Sequence, residues 1–451
     1  MEKLTKEELL ARAKKPQEDA MKLHAQYMGK ISVTSKCPIR SFDDFAIVYT
    51  PGVAEPCRAI KEKGERVFEL TNKGNMVAVV SDGTRVLGLG DIGPEAALPV
   101  MEGKSLLFKY LGGVDAFPIC LGTKDAEEII KAVKWLEPTF GGINLEDIEQ
   151  PKCFSILDRL REIMDIPVWH DDQQGTATIT LAGLINALKI VGKKISEIRL
   201  VMNGAGAAGI AILRILFKAG LDPENTIVVD SKGILHKERE DIKKRKEEFS
   251  DKFRLCEITN REGRKGGLEE ALRGADVCVS ASKPGPDVIK PEWLKKMNKD
   301  AILFAMANPI PEIWPWDAKE AGVRIVATGR SDFPNQINNS LGFPAIFRGA
   351  LDVHARTITD GMCIAAAEEL ARFAEEKGIN EEYLVPKMDE WEVFVREAVA
   401  VGMKAQEEGV ARLKVSREEL EKKAEGMIRR GREEIEVLMK HVMEKPSWGG
   451  K

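Results

Sequence analysis

The sequence predicts an α/β protein in which an N-terminal α/β domain precedes a doubly wound parallel sheet and a helical C-terminal tail. Three observations lead to this fold class. Short, continuous apolar runs alternate with segments of helical spacing, as expected when helices cover both faces of a parallel sheet. A glycine-rich turn joins one of these strands to the next helix. Beyond about residue 395, the sequence is helical and rich in Glu, Lys and Arg.

These patterns divide the 451 residues into three parts, which we expect at 1–165, 166–395 and 396–451. The chain opens with a predicted helix over residues 1–30, followed by a loop in which Pro51-Gly52 excludes regular structure. A long buried helix begins near residue 178. Strands are predicted at 76–80, 114–121, 141–148, 166–169, 200–202, 227–230, 275–281, 301–307 and 323–327.

Residues 199–230 form the central element, because they contain a strand, a turn, a helix and a second strand in succession. Each glycine of the turn has a separate physical task. Gly204 allows the sharp turn, Gly206 lets the backbone approach a pyrophosphate, and Gly209 lets the helix pack closely on the strand. This pattern is typical of a Rossmann-type dinucleotide-binding unit.

The helix after this turn begins at Ala207 and Ala208, where free N–H groups and the positive end of the helix dipole would face the phosphates. Asp230 ends the second strand about twenty residues past the last glycine, where a ribose hydroxyl would lie. A purely structural turn is the alternative. The complete strand, helix and acid favour cofactor binding.

A second glycine pattern occurs at Gly88, Gly90 and Gly93. The strand that follows its helix, 114–121, ends in Gly122-Thr123 and has no acid for a ribose. We therefore do not expect a second dinucleotide site there. The loop either binds a small anion through its amides or simply turns.

Two pairs of acids each lie at the end of a predicted strand, where α/β folds place their ligand sites. They are Glu146-Asp147 and Asp171-Asp172. Carboxylates gathered at one point repel one another unless a cation neutralises them, and oxygen ligands favour Mg²⁺ or Mn²⁺. Helix capping or loop solvation is the alternative interpretation.

Other polar residues stand at positions where chemistry or simple packing would explain them. Lys104 lies on an apolar helix face, either as a surface lysine or as a desolvated base with a lowered pKa. Tyr49 is either a rim tyrosine or a proton donor. Asn308, Asn338 and Asn339 follow predicted strand ends and either bind a polar ligand beside the cofactor or form turns.

Composition excludes several classes of protein. The net charge of -4 gives no reason to expect nucleic acid as a partner. The longest apolar stretch, 177–191, is too short for a membrane span, and the N-terminus is a charged helix and not a signal peptide. Seven scattered cysteines without a CxxC pair indicate neither disulfides nor a zinc site, so we expect a cytoplasmic protein.

Several motifs resemble those of malic enzymes of the short prokaryotic type, in their order and approximate spacing. They are Tyr49-Thr-Pro-Gly-Val, Arg85-Val-Leu-Gly-Leu-Gly-Asp, Leu98-Pro-Val-Met-Glu-Gly-Lys104, Leu145-Glu-Asp147, Asp171-Asp-Gln-Gln-Gly-Thr-Ala177 and Gly329-Arg-Ser-Asp-Phe-Pro-Asn-Gln-Ile-Asn-Asn339. The resemblance extends to about residue 400, and no motif covers the tail beyond about 405.

The resemblance implies the oxidative decarboxylation of malate to pyruvate and CO₂ with reduction of NAD or NADP. It implies that Lys104 is the base, tuned by Asp171, and that Tyr49 protonates the product carbon. The remaining implied roles are metal ligands (Glu146, Asp147, Asp172), substrate contacts (Arg85, Asn308, Asn338) and cofactor contacts (Gly204, Gly206, Ala207, Ala208, Gly209, Asp230, Asn308). The cation would be Mg²⁺ or Mn²⁺.

The choice between NAD and NADP stays open. Asp230 favours NAD, but Lys232, His236, Lys237 and Arg239 follow closely and offer positive charge to a 2′-phosphate. The family also implies a homodimer or larger homo-oligomer. The alternatives are an oxaloacetate decarboxylase, a 2-hydroxy-acid dehydrogenase that does not decarboxylate, and a regulatory protein that only senses nucleotides.

Overall fold

Two sheets organise the structure, a computed structural model that describes residues 6–330 and 333–441. The first sheet has four strands in the order β2-β1-β3-β4, and the second has six in the order β10-β9-β8-β5-β6-β7. The strands are β1 Met76–Ser81, β2 Asp115–Cys120, β3 Gly142–Leu145, β4 Val168–His170, β5 Leu200–Asn203, β6 Thr226–Asp230, β7 Gly233–Ile234, β8 Val277–Ser280, β9 Ile302–Ala305 and β10 Ile325–Thr328.

Helices connect most of these strands and also form the two ends of the chain. They are α1 Lys6–Tyr27, α2 Asp44–Val48, α3 Ala54–Glu62, α4 Val67–Leu70, α5 Pro94–Gly112, α6 Ala126–Leu136, α7 Lys152–Ile163, α8 Thr176–Val191, α9 Ala207–Lys218, α10 Glu240–Lys243, α11 Ser250–Ile258, α12 Leu268–Ala271, α13 Pro291–Leu294, α14 Pro315–Glu320, α15 Phe343–Asp352, α16 Asp360–Lys377, α17 Glu392–Glu407 and α18 Arg417–His441. The predicted α/β class is confirmed. The first five residues of the predicted N-terminal helix lie outside the described residues.

The first sheet is parallel throughout, so each of its connections must cross over the sheet. Its central strand β1 is almost completely buried, which explains its continuous apolar run. The last strand, β4, pairs with β3 from Ile143↔Val168 to Leu145↔His170. This sheet therefore extends beyond residue 165, the domain boundary expected from the sequence.

The second sheet reverses its strand order beside β5. From β5 the chain adds β6 and β7 on one side, then returns to add β8, β9 and β10 on the other. In open parallel sheets, ligands bind at the carboxyl edge near such a reversal. The two-residue strand β7 forms an antiparallel hairpin with β6. It was not predicted, because two residues are too few to show a periodic pattern.

The C-terminal helices pack back on the first sheet's side of the molecule. Helix α18 contacts α5 and α17, and it buries Leu420, Ala424 and Ile428 along one face. At Gly113, an added Cβ would lie 2.3 Å from the Met427 carbonyl oxygen, which shows how closely the backbones approach. The tail boundary expected at residue 396 falls inside α17, which begins at Glu392.

The apolar stretch 177–191 forms α8, which is buried along most of its length. One of its buried polar residues joins it to neighbouring parts of the chain. Asn186 donates from Nδ2 to the carbonyl oxygens of Ala371 and Leu384, both at 2.8 Å. These bonds join α8 to α16 and to the chain that follows it. Across the described residues, no helix is long and apolar enough to cross a membrane.

Residues 28–53, here called the N-terminal arm, expose an unusual number of apolar side chains. The arm connects α1 to α3 and contains the short helix α2. One anchor is the hydrogen bond from the Lys30 N–H to Oε2 of Glu102, at 3.1 Å. The exposed apolar residues of the arm are Met28, Ile31, Val33, Ile39, Phe42, Phe45, Ile47 and Val48. Large apolar patches on a protein surface are typical of interaction sites.

Candidate active site

A cleft lies between the two sheets, at the carboxyl ends of their strands. Its volume is about 390 Å³. Residues predicted from separate motifs meet on its walls: Arg85, Lys104, Glu146, Asp147, Asp172, Gly206, Ala207, Ala208, Asn308 and Asn338. Because parallel strands all end at the same edge, motifs that are distant in sequence converge there.

Three carboxylates form one cluster on the wall of this cleft. Glu146 and Asp147 directly follow β3, and Asp172 lies in a single π-helical turn, residues 171–175, that follows β4. Oxygen atoms of the three side chains all lie within 4.8 Å of one another. The Asp147 N–H donates to Oδ2 of Asp172 at 3.0 Å, which fixes the two loops relative to each other.

The cluster is unfavourable without a cation. Burial and then the neighbouring Asp172 carboxylate raise the pKa of Asp147 to about 8. Burial likewise raises the pKa of Glu146 well above its ordinary value. Oδ2 of Asp147 is buried and has no hydrogen-bond partner within the described protein. A hard divalent cation would satisfy this oxygen and offset the repulsion, so the three side chains fit such an ion.

Lys104 is buried and lies between two acids. Its Nζ is 2.6 Å from Oδ2 of Asp171 and 3.0 Å from Oε1 of Glu146. It also lies 4.4 Å from the ring centroid of Phe343. Burial alone would lower the pKa of Lys104, but the attraction of the two carboxylates outweighs it and raises the pKa above the ordinary value. The lowered pKa considered from the sequence is therefore wrong for this arrangement.

Asp171 stands behind Lys104 and is held firmly in place. It accepts a hydrogen bond on Oδ1 from Trp169 Nε1 at 3.1 Å, and another on Oδ2 from the amide of Asn339. Gly175 packs directly against it, since an added Cβ would lie 2.1 Å from Oδ1. These contacts explain why small and amide residues surround the two acids in this motif.

The loop of the second glycine pattern shapes the cleft. Arg85 is exposed on the cleft wall, and its N–H donates to the Asp147 carbonyl oxygen at 3.0 Å. Gly88 packs against the loop from the other sheet, where an added Cβ would lie 3.1 Å from Pro309 Cδ and 3.2 Å from the Asn308 carbonyl oxygen. The loop thus brings Arg85 and Asn308 to the same cavity.

The dinucleotide-type turn has the predicted geometry. Gly204 has φ +116°, in the region that favours glycine. At Gly209, an added Cβ would lie only 1.9 Å from the Gly204 carbonyl oxygen, so the helix and strand require glycine there. Gly206, Ala207 and Ala208 present the first turn of α9 to the cleft.

The three predicted asparagines, Asn308, Asn338 and Asn339, all line the cleft. Asn338 is oriented by its contacts, donating to the Gly329 carbonyl oxygen at 3.3 Å and accepting from the Ser340 N–H at 3.0 Å. Asn339 holds Asp171, as described above. Ser331 and Asp332, within the same motif, lie outside the described residues.

Five predicted site residues do not line this wall, namely Asp171, Gly204 and Gly209, described above, and Tyr49 and Asp230. Tyr49 lies in the N-terminal arm and is 70% exposed, and it does not line the cleft that one chain forms with its described residues. Asp230 ends β6, one residue past Val229, which is the strand partner of Asn203, and it is bound by Arg239.

The cleft also contains residues that the sequence motifs did not indicate. Gln150, Ser282 and Pro284 line it, and Ser282 donates to Oε1 of the buried Glu312 at 3.1 Å. His170, which directly precedes Asp171, does not line the cleft but is fully buried, and both its imidazole nitrogens lack a hydrogen-bond partner within the described protein. In the sequence, Ser282 could be found only because it directly follows the predicted strand 275–281, at the carboxyl edge of the sheet.

Comparison with known proteins gives a consistent result. Residues 28–161 match the N-terminal domain of malic enzymes, and residues 173–406 match their NAD-binding domain. A bifunctional malic/malolactic enzyme of Bacillus subtilis is 50% identical over 90% of this chain and 97% of its own length. An NAD-dependent malic enzyme of Geobacillus stearothermophilus is 54% identical over 85% of this chain and 78% of its own length.

Solved structures agree with this comparison. The crystal structure of Entamoeba histolytica malic enzyme has a TM-score of 0.94 and 49% identity, covering 99% of this chain and 93% of that one. The malic enzyme of Pyrococcus horikoshii has a TM-score of 0.87 and 54% identity, covering 94% and 97%. The motifs, the geometry of the cleft and these matches over nearly the whole chain lead to one conclusion: the chain belongs to the malic enzyme family.

Proposed function

We propose that this protein catalyses the oxidative decarboxylation of malate to pyruvate and CO₂, with reduction of NAD or NADP. The observation that carries the proposal is the position of Lys104. It lies beside a cluster of three carboxylates, in the same cleft as the dinucleotide-type turn. A 2-hydroxy acid bound there would place its hydroxyl near both a proton acceptor and the cofactor.

Glu146, Asp147 and Asp172 would hold the divalent cation, Mg²⁺ or Mn²⁺. When bound, such an ion acts as a Lewis acid that polarises the substrate's reacting oxygen. The chain contributes three carboxylates that are already gathered, together with the hydrogen bond from the Asp147 N–H that keeps Asp172 in place. This arrangement reduces the ordering that binding would otherwise require.

Lys104 takes the proton from the substrate hydroxyl in this proposal, and Asp171 orients it. To accept a proton, the lysine must first lose one, which its two acidic partners oppose. Glu146 cannot both ligate a cation and hold the ammonium as tightly. Filling the carboxylate site therefore lowers the proton affinity of Lys104 toward the range that a general base requires.

The remaining wall would bind the substrate and the cofactor. Arg85, Asn308 and Asn338 offer donors for the substrate carboxylates, and a guanidinium suits a carboxylate particularly well. The first turn of α9 offers N–H groups to the pyrophosphate. The nicotinamide of a cofactor bound there would supply the hydride acceptor.

A matched pair of variants tests the metal role. Asp172→Asn should lose two properties of the wild type. Mn²⁺ should no longer stabilise the protein against heat, and NAD(P)H should no longer form from malate in the presence of Mn²⁺. Glu149→Gln is the control, because Glu149 is a half-exposed acid that also follows β3. If Asp172→Asn retains both Mn²⁺ responses, the carboxylate cluster is not the metal site.

We also propose that the protein is a homodimer whose sites are completed across the interface. Tyr49 is the only proton donor proposed for the product carbon, yet it lies on the exposed N-terminal arm and outside the cleft of its own chain. The exposed apolar side chains of the arm would be buried against a second copy, which would carry Tyr49 into the partner's cleft.

Mixing two inactive variants tests this arrangement. Tyr49→Phe and Lys104→Ala chains, unfolded and refolded together, should regain about a quarter of wild-type activity, because half of the dimers are mixed and each has one intact site. Each variant alone, treated identically, is the control. No recovery, although the chains demonstrably exchange, would show that Tyr49 serves its own chain or none.

A cytoplasmic location completes the proposal. All seven cysteines are free, as expected in a reducing compartment. Cys153, Cys256, Cys278 and Cys363 are buried, and burial raises the pKa of each thiol, so these side chains are unreactive.

A further inference from the structure

The acid at the end of β6 is already bound by an arginine. Arg239 forms a bidentate pair with Asp230, with Nη1–Oδ1 and Nη2–Oδ2 distances of 3.1 Å. A second acid holds the other edge of the same guanidinium. Asp241 accepts from Arg239 Nε at 2.8 Å and from Nη2 at 3.0 Å. The arginine is buried between the two carboxylates.

This geometry uses every donor of the guanidinium, which has five N–H groups. Asp241 takes the Nε hydrogen and one on Nη2, and Asp230 takes one hydrogen from each Nη. The last hydrogen, on Nη1, faces the carbonyl oxygens of Gly233 and Ile234 in the β6–β7 hairpin, each at 3.4 Å. Arg239 therefore has no donor left for an additional anion.

Asp230 is left with an acceptor position. Its Oδ1 receives two hydrogen bonds, from Arg239 and from the Lys232 N–H at 2.9 Å. Its Oδ2 receives one, from Arg239. Each carboxylate oxygen has two lone pairs, so Oδ2 retains one with which to accept a bond from a hydroxyl.

We propose that Asp241 makes this protein selective for NAD over NADP, by holding Arg239 on Asp230 and away from a 2′-phosphate. The inference rests on the proposed function, since it assumes that the cofactor's adenosine ribose lies at the end of β6. A free 2′-hydroxyl bonds to Asp230. A 2′-phosphate at the same place meets the Asp230 carboxylate and finds no guanidinium donor free.

Two lysines beside these acids, Lys232 and Lys252, do not replace the arginine. Lys232 Nζ is bound to Oδ2 of Asp241 at 3.0 Å. Lys252 Nζ lies 3.9 Å from Oδ2 of Asp230 and 5.2 Å from the ring centroid of Phe249. Both are directed to the same two acids, so the charge that they bring is largely offset.

Fluorescence titration of NADH and NADPH onto the whole protein, without malate, tests the proposal. We expect the wild type to bind NADH at least about tenfold more tightly than NADPH. Asp241→Ala frees two Arg239 donors, so NADPH affinity should rise about tenfold while NADH affinity changes by less than about twofold. Asp241→Asn, which keeps the shape of the side chain, should change the affinities in the same direction.

Glu262→Ala is the matched control. Glu262 also binds two arginines, Arg199 and Arg264, at 2.7 Å each. Arg199 directly precedes β5, so this acid lies at the edge of the sheet opposite to Asp230. It should leave the NADPH to NADH affinity ratio unchanged. If Asp241 had only a structural role, its replacement would weaken the binding of NADH and NADPH together and would leave the ratio of the two affinities unchanged.

Three outcomes contradict the account, and they differ from one another. Equal binding of the two cofactors by the wild type, or tighter binding of NADPH, overturns the selectivity. An unchanged ratio in both Asp241 variants shows that the arginine is not the element being held away. If neither NADH nor NADPH binds the wild type, the proposed function itself fails, and this inference fails with it.

Discussion

Replacing Lys104 by methionine should remove the one cation between two buried acids. The lysine is 2.6 Å from Asp171 and 3.0 Å from Glu146, and it is only 8% exposed. Methionine preserves most of the volume and its packing on Phe343. Breaking a buried ion pair costs about 3–5 kcal/mol, because the remaining charge is left buried without a partner. We expect a loss of about 3 kcal/mol in unfolding free energy.

Urea unfolding with and without Mn²⁺ measures this loss. Without the ammonium, a cation at the carboxylate cluster meets less repulsion, so Mn²⁺ should stabilise Lys104→Met more than it stabilises the wild type. Lys109→Met is the control: Lys109 lies on the same helix and also contacts two acids, Asp115 and Glu434, but is only partly buried. It should cost at most about 1 kcal/mol, and Mn²⁺ should stabilise it as much as it stabilises the wild type.

Two results would refute this reasoning. A loss below about 1 kcal/mol would mean that the two acids carry protons and not charge. An Mn²⁺ effect that is no larger in Lys104→Met than in the wild type would mean that the lysine and the carboxylate cluster are electrostatically independent. Activity should be lost in either case, because the proposed base is absent.

Three further predictions follow from single contacts. Gly209→Ala should destabilise the protein by about 2 kcal/mol in urea unfolding and weaken NADH binding in the fluorescence titration. Gly426→Ala in α18 is the control: its added Cβ enters open space, so it should be neutral or stabilising and leave NADH binding unchanged. Asn186→Ala should cost about 2–4 kcal/mol in urea unfolding, because two buried carbonyl oxygens lose their donor. Burial lowers the pKa of His354 to about 4 from an ordinary 6.5, so the unfolded chain takes up this proton first, and thermal stability should fall as pH drops from about 6.5 to 4. His354→Asn, which tolerates the local φ of +49°, should weaken that dependence, and an identical pH profile would disprove it.

Much of the fold could be predicted because its signals are local. Continuous apolar runs marked β5, β8, β9 and β10, since strands buried on both faces need apolar residues throughout. The glycines of the turn at Gly204 could be predicted equally well, because each is required by a backbone contact within a few residues. The carboxylate cluster could be predicted because acids at the carboxyl ends of neighbouring parallel strands lie at the same edge of the sheet.

The rest depended on contacts that local sequence does not contain. The pKa of Lys104 was misjudged because its helix face shows burial but not the two acids that arrive from other strands. The first sheet extends past the expected boundary at residue 165 because β4 pairs with β3, and the local sequence does not show which strands pair. The position of Tyr49 outside its own cleft reflects the course of the N-terminal arm, and its role stays a prediction.

The most direct test of the account is a single reaction with malate, NAD and Mn²⁺ in which pyruvate, CO₂ and NADH are quantified together. The account predicts equal amounts of the three products, and none when EDTA replaces Mn²⁺. NADH without pyruvate would indicate a dehydrogenase that does not decarboxylate. No NADH in this reaction, and no NADPH when NADP replaces NAD, from a protein that binds both malate and cofactor, would contradict the proposed function altogether.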